Sequence, residues 1–517
     1  MPMNALKLRI DLAAIAHNTR QMRRQAGGAR LMCVVKADAY NHGAAKCVPI
    51  MEANGADAFG CATIAEAASV AKLTSKPVMA WLWAPGEELV EGIEMGVPSL
   101  AHLRALIDAP FVPTVHLMID TGMNRSGVDE EQWPELFAMA AEAQQAGQIR
   151  VAGLMSHFAC ADNPADPYTD RQLATFREAL NQAHEAGLED LVNHVANSPA
   201  TWTRDDARFE QIRPGIGLYG LEAIDGTDNG LRPAMSWVAT VTAVKPIQAG
   251  EPVSYSGTWT APEDGFTAVV PAGYADGVMR IWQDRMDVTI NGARYPQVGR
   301  VCMDQIVVWL GANEAGVAPG DEAVLFGAGG VSADEFALRA NTIHYEVLCA
   351  PKGRTVREYG GRRVCETREE TQALGRELGE TLRAGDVVIL DGPLGAGKTT
   401  LTQGIAEGMQ VKGRVTSPTF TIAREHRAKE AEGASLIHVD AYRLLGEGSS
   451  GDPLGELDAL DLESELDRSV VVAEWGGDLA GHIANEYLLV RIDRTTLVEQ
   501  DEDSEGRIIT WRWVHAE

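Results

Sequence analysis

Positive charge is scarce in this sequence: 45 Lys and Arg stand against 73 Asp and Glu, a formal net charge of −28. A surface of that sign repels phosphate backbones and anionic lipid, which argues against autonomous binding to nucleic acid or membrane. Cysteine is sparse as well. Seven are scattered at 33, 47, 61, 160, 302, 349 and 365, an odd number with no CxxC pair and no Cys/His cluster. Neither a disulfide framework nor a zinc site is expected, and reduced thiols in a cytosolic protein are the simplest reading. Long apolar runs are missing too, none approaching the roughly 18 residues that would span a bilayer. Residues 1–7 lead into charged positions rather than into the apolar core of a secretion signal. The expectation is a soluble, cytoplasmic protein. What remains is ordinary: 45% apolar and 23% charged residues over 517 positions, enough chain for three or four globular domains.

Three textures divide the chain. From residue 31, short apolar runs alternate with stretches of helical length. The runs are 31–37, 58–63, 78–85, 97–102, 114–120, 150–158, 191–198 and 212–220; helix-like segments such as 64–73, 131–146 and 168–186 lie between them. Eight strand candidates interleaved with helices predict a (β/α)8 barrel over 1–233, with a doubly wound open sheet as the alternative. Residues 234–362 are β-rich and punctuated by Gly and Pro, with runs at 237–244, 266–270, 298–309 and 322–326, and predict a mainly-β domain. Residues 363–517 open with an amphipathic helix at 367–384 and a strand at 387–390 leading into a glycine-rich loop, the pattern of a P-loop α/β domain. Residues 361–517 carry 17 basic and 30 acidic side chains, a net of −13. Across 452–467 there are seven acids and no base, with Leu454, Leu457 and Leu460 at helical spacing, read as a solvated acidic helix with an apolar seam.

Chemically loaded residues fall at the ends of the barrel strands, the face where such barrels carry active sites. Lys36 ends the first apolar run, within Val34-Val35-Lys36-Ala37-Asp38-Ala39-Tyr40-Asn41-His42-Gly43. A buried ammonium is costly, and a lysine whose pKa is depressed can form a Schiff base or act as a base; a salt-bridged strand-end lysine is the plainer alternative. Later strand ends bring Asp120-Thr121-Gly122-Met123-Asn124-Arg125-Ser126-Gly127, Ser156-His157, Asn197-Ser198 and Arg213-Pro214-Gly215-Ile216. A lysine, a small-residue phosphate site and nearby arginines suggest pyridoxal phosphate.

On these motifs, together with Gly273-Tyr274-Ala275-Asp276-Gly277 and Val298-Gly299-Arg300-Val301-Cys302-Met303-Asp304-Gln305, the first 360 or so residues resemble the pyridoxal-phosphate-dependent alanine racemases. The resemblance implies interconversion of L- and D-alanine by two opposed bases, Lys36 and Tyr274, with Tyr274 supplied by the second subunit of a homodimer. It implies that Arg213 faces the pyridine nitrogen, that His157 orients Arg213, and that Tyr40, Ser198, Gly215 and Ile216 take the phosphate. Arg125 and the backbone of Met303 would hold the substrate carboxylate; Tyr219 reads as structural. Two positions depart from the family pattern. Met118 stands where many relatives have a carbamylated lysine that braces the substrate arginine, and Gly353 stands where a phosphate-side tyrosine is common. Serine or broader racemases share the scaffold and remain the alternative.

Gly392-Pro393-Leu394-Gly395-Ala396-Gly397-Lys398-Thr399 fits the P-loop pattern GxxxxGK[ST], between a strand and a helix predicted over 400–409. Backbone amides of Gly392, Gly395, Ala396, Gly397 and Thr400 would cradle ATP phosphates, Lys398 would reach the terminal ones, and Thr399 would bind Mg²⁺. Glu474 and Asp440 end later strand candidates and could complete the metal shell. With Val415-Thr416-Ser417-Pro418-Thr419-Phe420-Thr421-Ile422, residues 438–444 and residues 473–476, this segment resembles the ATPase subunit of the bacterial machinery that makes tRNA threonylcarbamoyladenosine. That resemblance implies ATP with Mg²⁺ and tRNA-modification partner proteins; the acidic balance argues against strong tRNA binding by this domain alone. A small-molecule kinase, or a non-catalytic nucleotide-binding module, is the competing reading.

Overall fold

The computed structural model describes residues 5–413, 415, 423–430, 433–440, 465–474, 483–500 and 504–515. Most of the 415–422 motif, the acidic seam with Leu454, Leu457 and Leu460, residues 441–444 and Trp475-Gly476 therefore lie outside the described residues. Contacts divide the chain into two compact units, Met1–Leu8 with His17–Arg357, and Arg9–Ala16 with Glu358–Glu517.

The first unit holds a closed parallel barrel and a β domain. Barrel strands Arg30–Val34, Ala58–Cys61, Val78–Ala80, Ile93–Val97, Thr114–Met118 and Arg150–Met155 pair in parallel, each with the next. They are almost continuously buried, as expected of parallel strands covered on both faces. Closure runs through residues 192–196. The Val192 N–H donates to Ala152 O and the His194 N–H to Leu154 O (3.0 Å), while on the other edge the Gln211 N–H donates to Asn193 O. Gly153 permits this approach, since a Cβ there would lie 2.0 Å from Val192 O. Gln211–Ile212 then pairs with Arg30 and Leu31.

The run at 97–102 is not the fourth strand. That strand is Ile93–Val97, and Leu100–Ile107 is a helix whose N-cap, Ser99, accepts from the His102 N–H. A serine cap contributes about 1 kcal/mol to starting a helix, enough to end the extended chain there. The run at 212–220 is also mostly not strand: only Gln211–Ile212 pairs, and Ile216–Tyr219 is a 3₁₀ turn.

In the β domain the strands Ala243–Ile247, Gly265–Val270, Ile306–Gly311, Ala293–Val298, Asp287–Ile290, Glu322–Phe326 and Met235–Thr240 lie side by side in that order. Ile306–Gly311 alternates buried and half-buried positions, the period of a sheet with one face on a core. The expected continuous run 298–309 is split into two antiparallel strands by the turn that carries Met303.

In the second unit, Glu486–Asp493, Val387–Asp391, Ser469–Glu474 and Ser435–Asp440 form a parallel core. Ala423–His426 and Arg507–His515 flank it antiparallel. Helix Arg368–Gly379 packs on helix Lys398–Gly408 with their backbones in near contact. A Cβ at Gly375 would lie 2.3 Å from Leu401 O, and one at Gly404 would lie 2.1 Å from Gln372 O. The helix that follows the phosphate loop is thus seated by glycines spaced four apart on each helix, Gly375/Gly379 and Gly404/Gly408.

Candidate active sites

After the strand Arg30–Val34 the chain makes one left-handed turn. Ala37, Asp38, Ala39 and Tyr40 have φ between 51° and 57°, and Asn41 has 67°. Left-handed backbone costs an L-residue roughly 1–2 kcal/mol, so its surroundings must over-determine it. They do. The Ala37 N–H donates to Glu66 Oε1 (2.8 Å) and the Ala44 N–H to Asp38 Oδ1 (2.7 Å). Arg357 donates to Asn41 O (2.9 Å) and Asn41 Oδ1 (2.6 Å) and pairs with Asp38 (2.8 Å). The turn sets Lys36 and Tyr40, four residues apart, on the wall of one cavity.

That cavity has a volume of about 180 Å³. Lys36, Tyr40, Arg125, His157, Ser198, Arg213, Gly215 and Ile216 all line it, beside Met118, Trp81 and Tyr345. On one side Ser198, Gly215 and Tyr40 converge. The Gly215 N–H donates to Ser198 Oγ (2.8 Å), and a Cβ on Gly215 would lie 2.4 Å from the Tyr40 hydroxyl oxygen. Tyr40 stacks on Tyr219 with ring centroids 4.7 Å apart, and the Tyr219 hydroxyl donates to Val34 O (2.9 Å), the structural role expected of it.

On the other side lies Arg213, 5% exposed. It donates to His194 Nδ1 (2.7 Å), His194 O (2.7 Å) and Ser156 O (2.6 Å). His157 Nδ1 is only at 3.5 Å, so the orienting contact expected from His157 is made more closely by His194. Sequence reasoning missed His194, which sits in the poorly paired 192–196 segment with no motif around it. Burial lowers the Arg213 pKa to about 10, still cationic at neutral pH, and no carboxylate touches it among the described residues. Burial and the neighbouring arginines push His157 down to about 3, so it is neutral. Burial, then the Arg125 charge, also lowers the Lys36 pKa, favouring a free amine. The phosphate-side, pyridine-side and lysine groups therefore have the chemistry to hold a phosphorylated pyridine aldehyde. The cradle at Gly215 would be filled by any larger residue.

Met118 is buried with Met32, Met79 and Met155, an apolar setting in place of the bracing lysine. Arg125 is exposed and makes no hydrogen bond among the described residues. At the other departure, Gly353 has φ +64°, and a Cβ would lie 2.4 Å from Ala275 O, so no tyrosine fits there. Tyr345, which lines the cavity and lies 6.1 Å from the Tyr40 ring, was also missed.

Two predicted residues stand elsewhere. Tyr274 and Met303 lie in the β domain, 40% and 52% exposed, and neither lines the Lys36 cavity of its own chain. Tyr274 sits on a turn held by its own N–H to Cys302 O (3.0 Å) and by buried Asp276, which accepts from Arg354 (2.6 Å).

In the second unit the loop 392–397 precedes a helix that begins at Lys398 rather than at 400. Lys398 is 5% exposed, and its Nζ donates to Gly392 O (2.7 Å) and Pro393 O (3.0 Å). Gly395 and Gly397 have φ of +76° and +112°, left-handed values that a phosphate-cradling loop reserves for glycine. The Thr399 hydroxyl donates to Glu474 Oε1 (3.2 Å), which also lies 3.0 Å from His438 Nε2, a residue without a predicted role. Asp440 and Glu474 are register partners at the ends of adjacent parallel strands. The Thr399 hydroxyl on Glu474, with Asp440 at the end of the adjacent strand, offers hard oxygens of the kind Mg²⁺ takes.

Comparison with known proteins places each part of the chain in a family. Family models for the alanine racemase N-terminal and C-terminal domains match residues 10–223 and 234–359. A model for the threonylcarbamoyl adenosine biosynthesis protein TsaE matches 365–503. The alanine racemase of Corynebacterium efficiens is 53% identical over 369 residues, covering 69% of this chain and 99% of that protein. The crystal structure of alanine racemase from Corynebacterium glutamicum superposes with a TM-score of 0.64 at 49% identity, over 69% of this chain and all of that one. The enzyme from Bartonella henselae with covalently bound pyridoxal phosphate gives a TM-score of 0.63 at 26% identity, over 69% of this chain and 99% of that one. The chain belongs to the alanine racemase family, and its racemase is fused to a C-terminal ATPase domain of the TsaE type.

Proposed function

We propose that the first unit interconverts L- and D-alanine with Lys36 and Tyr274 as opposed bases. The observation that carries this reading is the convergence of Lys36, Arg213 and the Tyr40–Ser198–Gly215 cradle on one cavity. Pyridoxal phosphate, when bound, supplies the electron sink that makes the α-proton of alanine removable. Tyr40, Ser198, Gly215 and Ile216 hold its phosphate, and Arg213 holds the pyridine nitrogen. A guanidinium is a donor that does not release its proton, so Arg213 keeps that nitrogen unprotonated and restrains the sink. Arg125 binds the substrate carboxylate. Lys36, its proton affinity reduced by burial, takes or returns the α-proton at Nζ on one face.

The second base comes from a second copy. Exposed Tyr274 and Met303, held on rigid turns, project from the β domain to complete the partner's cavity in a head-to-tail homodimer. D-alanine made in this way supplies cell-wall peptidoglycan precursors in the cytoplasm.

The second unit hydrolyses ATP, with Lys398 turning from the loop carbonyls to the phosphates and Thr399, Glu474 and Asp440 holding Mg²⁺. Its acidic surface suits a role through partner proteins that carry the tRNA. One preparation tests the whole reading: visible absorbance of bound pyridoxal phosphate, alanine racemisation, and Mg²⁺-dependent ATPase with and without tRNA-modification partners. Absence of the first two rejects the racemase assignment, and absence of the third rejects the ATPase assignment.

A further inference from the structure

Barrel interiors are filled mainly by layers of branched apolar side chains. Here a line of polar groups crosses the interior. Arg213 Nη1 donates to His194 Nδ1 (2.7 Å), His194 Nε2 lies 2.9 Å from His116 Nδ1, and His116 Nε2 lies 2.9 Å from Glu94 Oε2. His194 is 0% and His116 2% exposed. The Glu94 side chain is 15% exposed on the strand Ile93–Val97, and Arg150 lies 3.7 Å from its other oxygen. Buried polar atoms are tolerated only when paired, and every ring nitrogen in this line is paired.

The two ends dictate the direction of the line. Arginine only donates, and a carboxylate only accepts. His116 must therefore carry its proton on Nε2 to meet Glu94, leaving Nδ1 bare. His194 must carry its proton on Nε2 to meet that lone pair, leaving its own Nδ1 bare for Arg213. Both rings are neutral with a single tautomer each, and positive and negative charge sit only at the two ends.

We propose that Glu94 and His116 are positioning residues for the racemase reaction: through His194 they lock the orientation of the Arg213 guanidinium while keeping its counter-charge at a distance. This rests on the reading that Arg213 faces the pyridine nitrogen. A carboxylate in direct contact with Arg213 would neutralise the face turned to the cavity. The relay holds the same arginine without that loss, so the nitrogen meets a full, fixed cation. Burial and the Arg213 charge act in the same sense on His194, holding its pKa well below the ordinary range and the ring neutral.

The first test needs no variant. In protein labelled with ¹⁵N-histidine, with the cofactor removed, His116 and His194 are expected as neutral Nε2–H tautomers near neutral pH. A proton on Nδ1 of either ring overturns the relay. Because this measurement is made without cofactor, it decides the relay even if the protein fails to racemise alanine, a failure that would sink the functional reading instead.

The second test compares Glu94→Gln and Glu94→Ala with the parent holoenzyme. Loss of one charge-assisted hydrogen bond in a buried chain is expected to change the partition by about tenfold. The partition read is racemisation against abortive transamination per turnover, with a shift in the cofactor's visible absorbance and KM for alanine within about twofold. The glutamine amide oxygen can still accept from the His116 Nε2–H but without the charge, so its effect should be smaller than that of alanine and in the same direction. A structural role alone would lower thermal stability without moving the partition or the spectrum, and that result overturns the proposal.

Discussion

Gly215→Ala is the sharpest probe of the cofactor cradle, because the clash it creates is defined by one atom. The new Cβ would sit 2.4 Å from the Tyr40 hydroxyl oxygen. An ordinary contact is about 3.4 Å or more, so Tyr40 must retreat by about 1 Å. It has little room to do so: its ring is buried and stacked on Tyr219, which is itself tied to Val34 O. Forcing a methyl group into such packing costs about 1–3 kcal/mol. If that cost falls on the geometry that receives the phosphate, pyridoxal phosphate should bind about 5- to 150-fold more weakly. Absorbance titration of the cofactor-free protein measures this directly. Tyr40→Phe removes the clashing oxygen along with a phosphate contact. The double variant Gly215→Ala/Tyr40→Phe should therefore lose less than the sum of the two single losses, a coupling that a double-mutant cycle resolves. Affinity of the Gly215→Ala protein within twofold of the parent, or strictly additive losses, would refute the placement of the phosphate between these residues.

Tyr274→Phe should slow solvent-deuterium exchange of one alanine enantiomer much more than the other, while Lys36→Ala abolishes racemisation in both directions; equal slowing of both enantiomers by Tyr274→Phe would reject the two-base assignment. Gly404→Ala places a methyl 2.1 Å from Gln372 O, a backbone atom that cannot swing away, and should cost the ATPase unit about 3 kcal/mol or more of stability while the racemase unit's unfolding transition stays put, read by calorimetry. Lys398→Ala should eliminate ATP hydrolysis and leave racemase kcat and KM within about twofold; a severalfold loss of racemisation would establish coupling between the two activities. His42 is fully buried, and burial lowers its pKa from 6.5 to about 4. Between those values the unfolded chain binds a proton there that the folded chain does not, so stability falls as pH drops through this window. The slope contributed is up to about 1.4 kcal/mol per pH unit. Denaturant titrations of His42→Phe across that range should lose this part of the pH dependence, and an unchanged slope would count against it.

Local chemistry was legible in the sequence alone. The eight-fold alternation, the Lys36 motif, Arg213-Pro214-Gly215-Ile216 and the P-loop each occupy a few consecutive residues whose spacing encodes a turn, a strand end or a phosphate cradle. Boundaries were less so: Ser99 moved the fourth strand, because a cap acts through one hydrogen bond that apolarity does not reveal. Gly360 and Gly361, next to the boundary at 362, lie in a strand paired with Arg507–His515, where Gly361 gives room to the Trp511 ring. What only tertiary structure decided are the relations between residues distant in the chain. His194 in the 192–196 segment, with His116 and Glu94 behind it on two barrel strands, lines up on Arg213, Gly375 and Gly404 meet across two helices, and Tyr274 stays outside its own chain's cavity. None of these leaves a periodic or composition signal, because a hydrogen bond or a backbone contact between distant segments depends on how the strands and helices are placed in space, and adjacency in sequence carries no record of that.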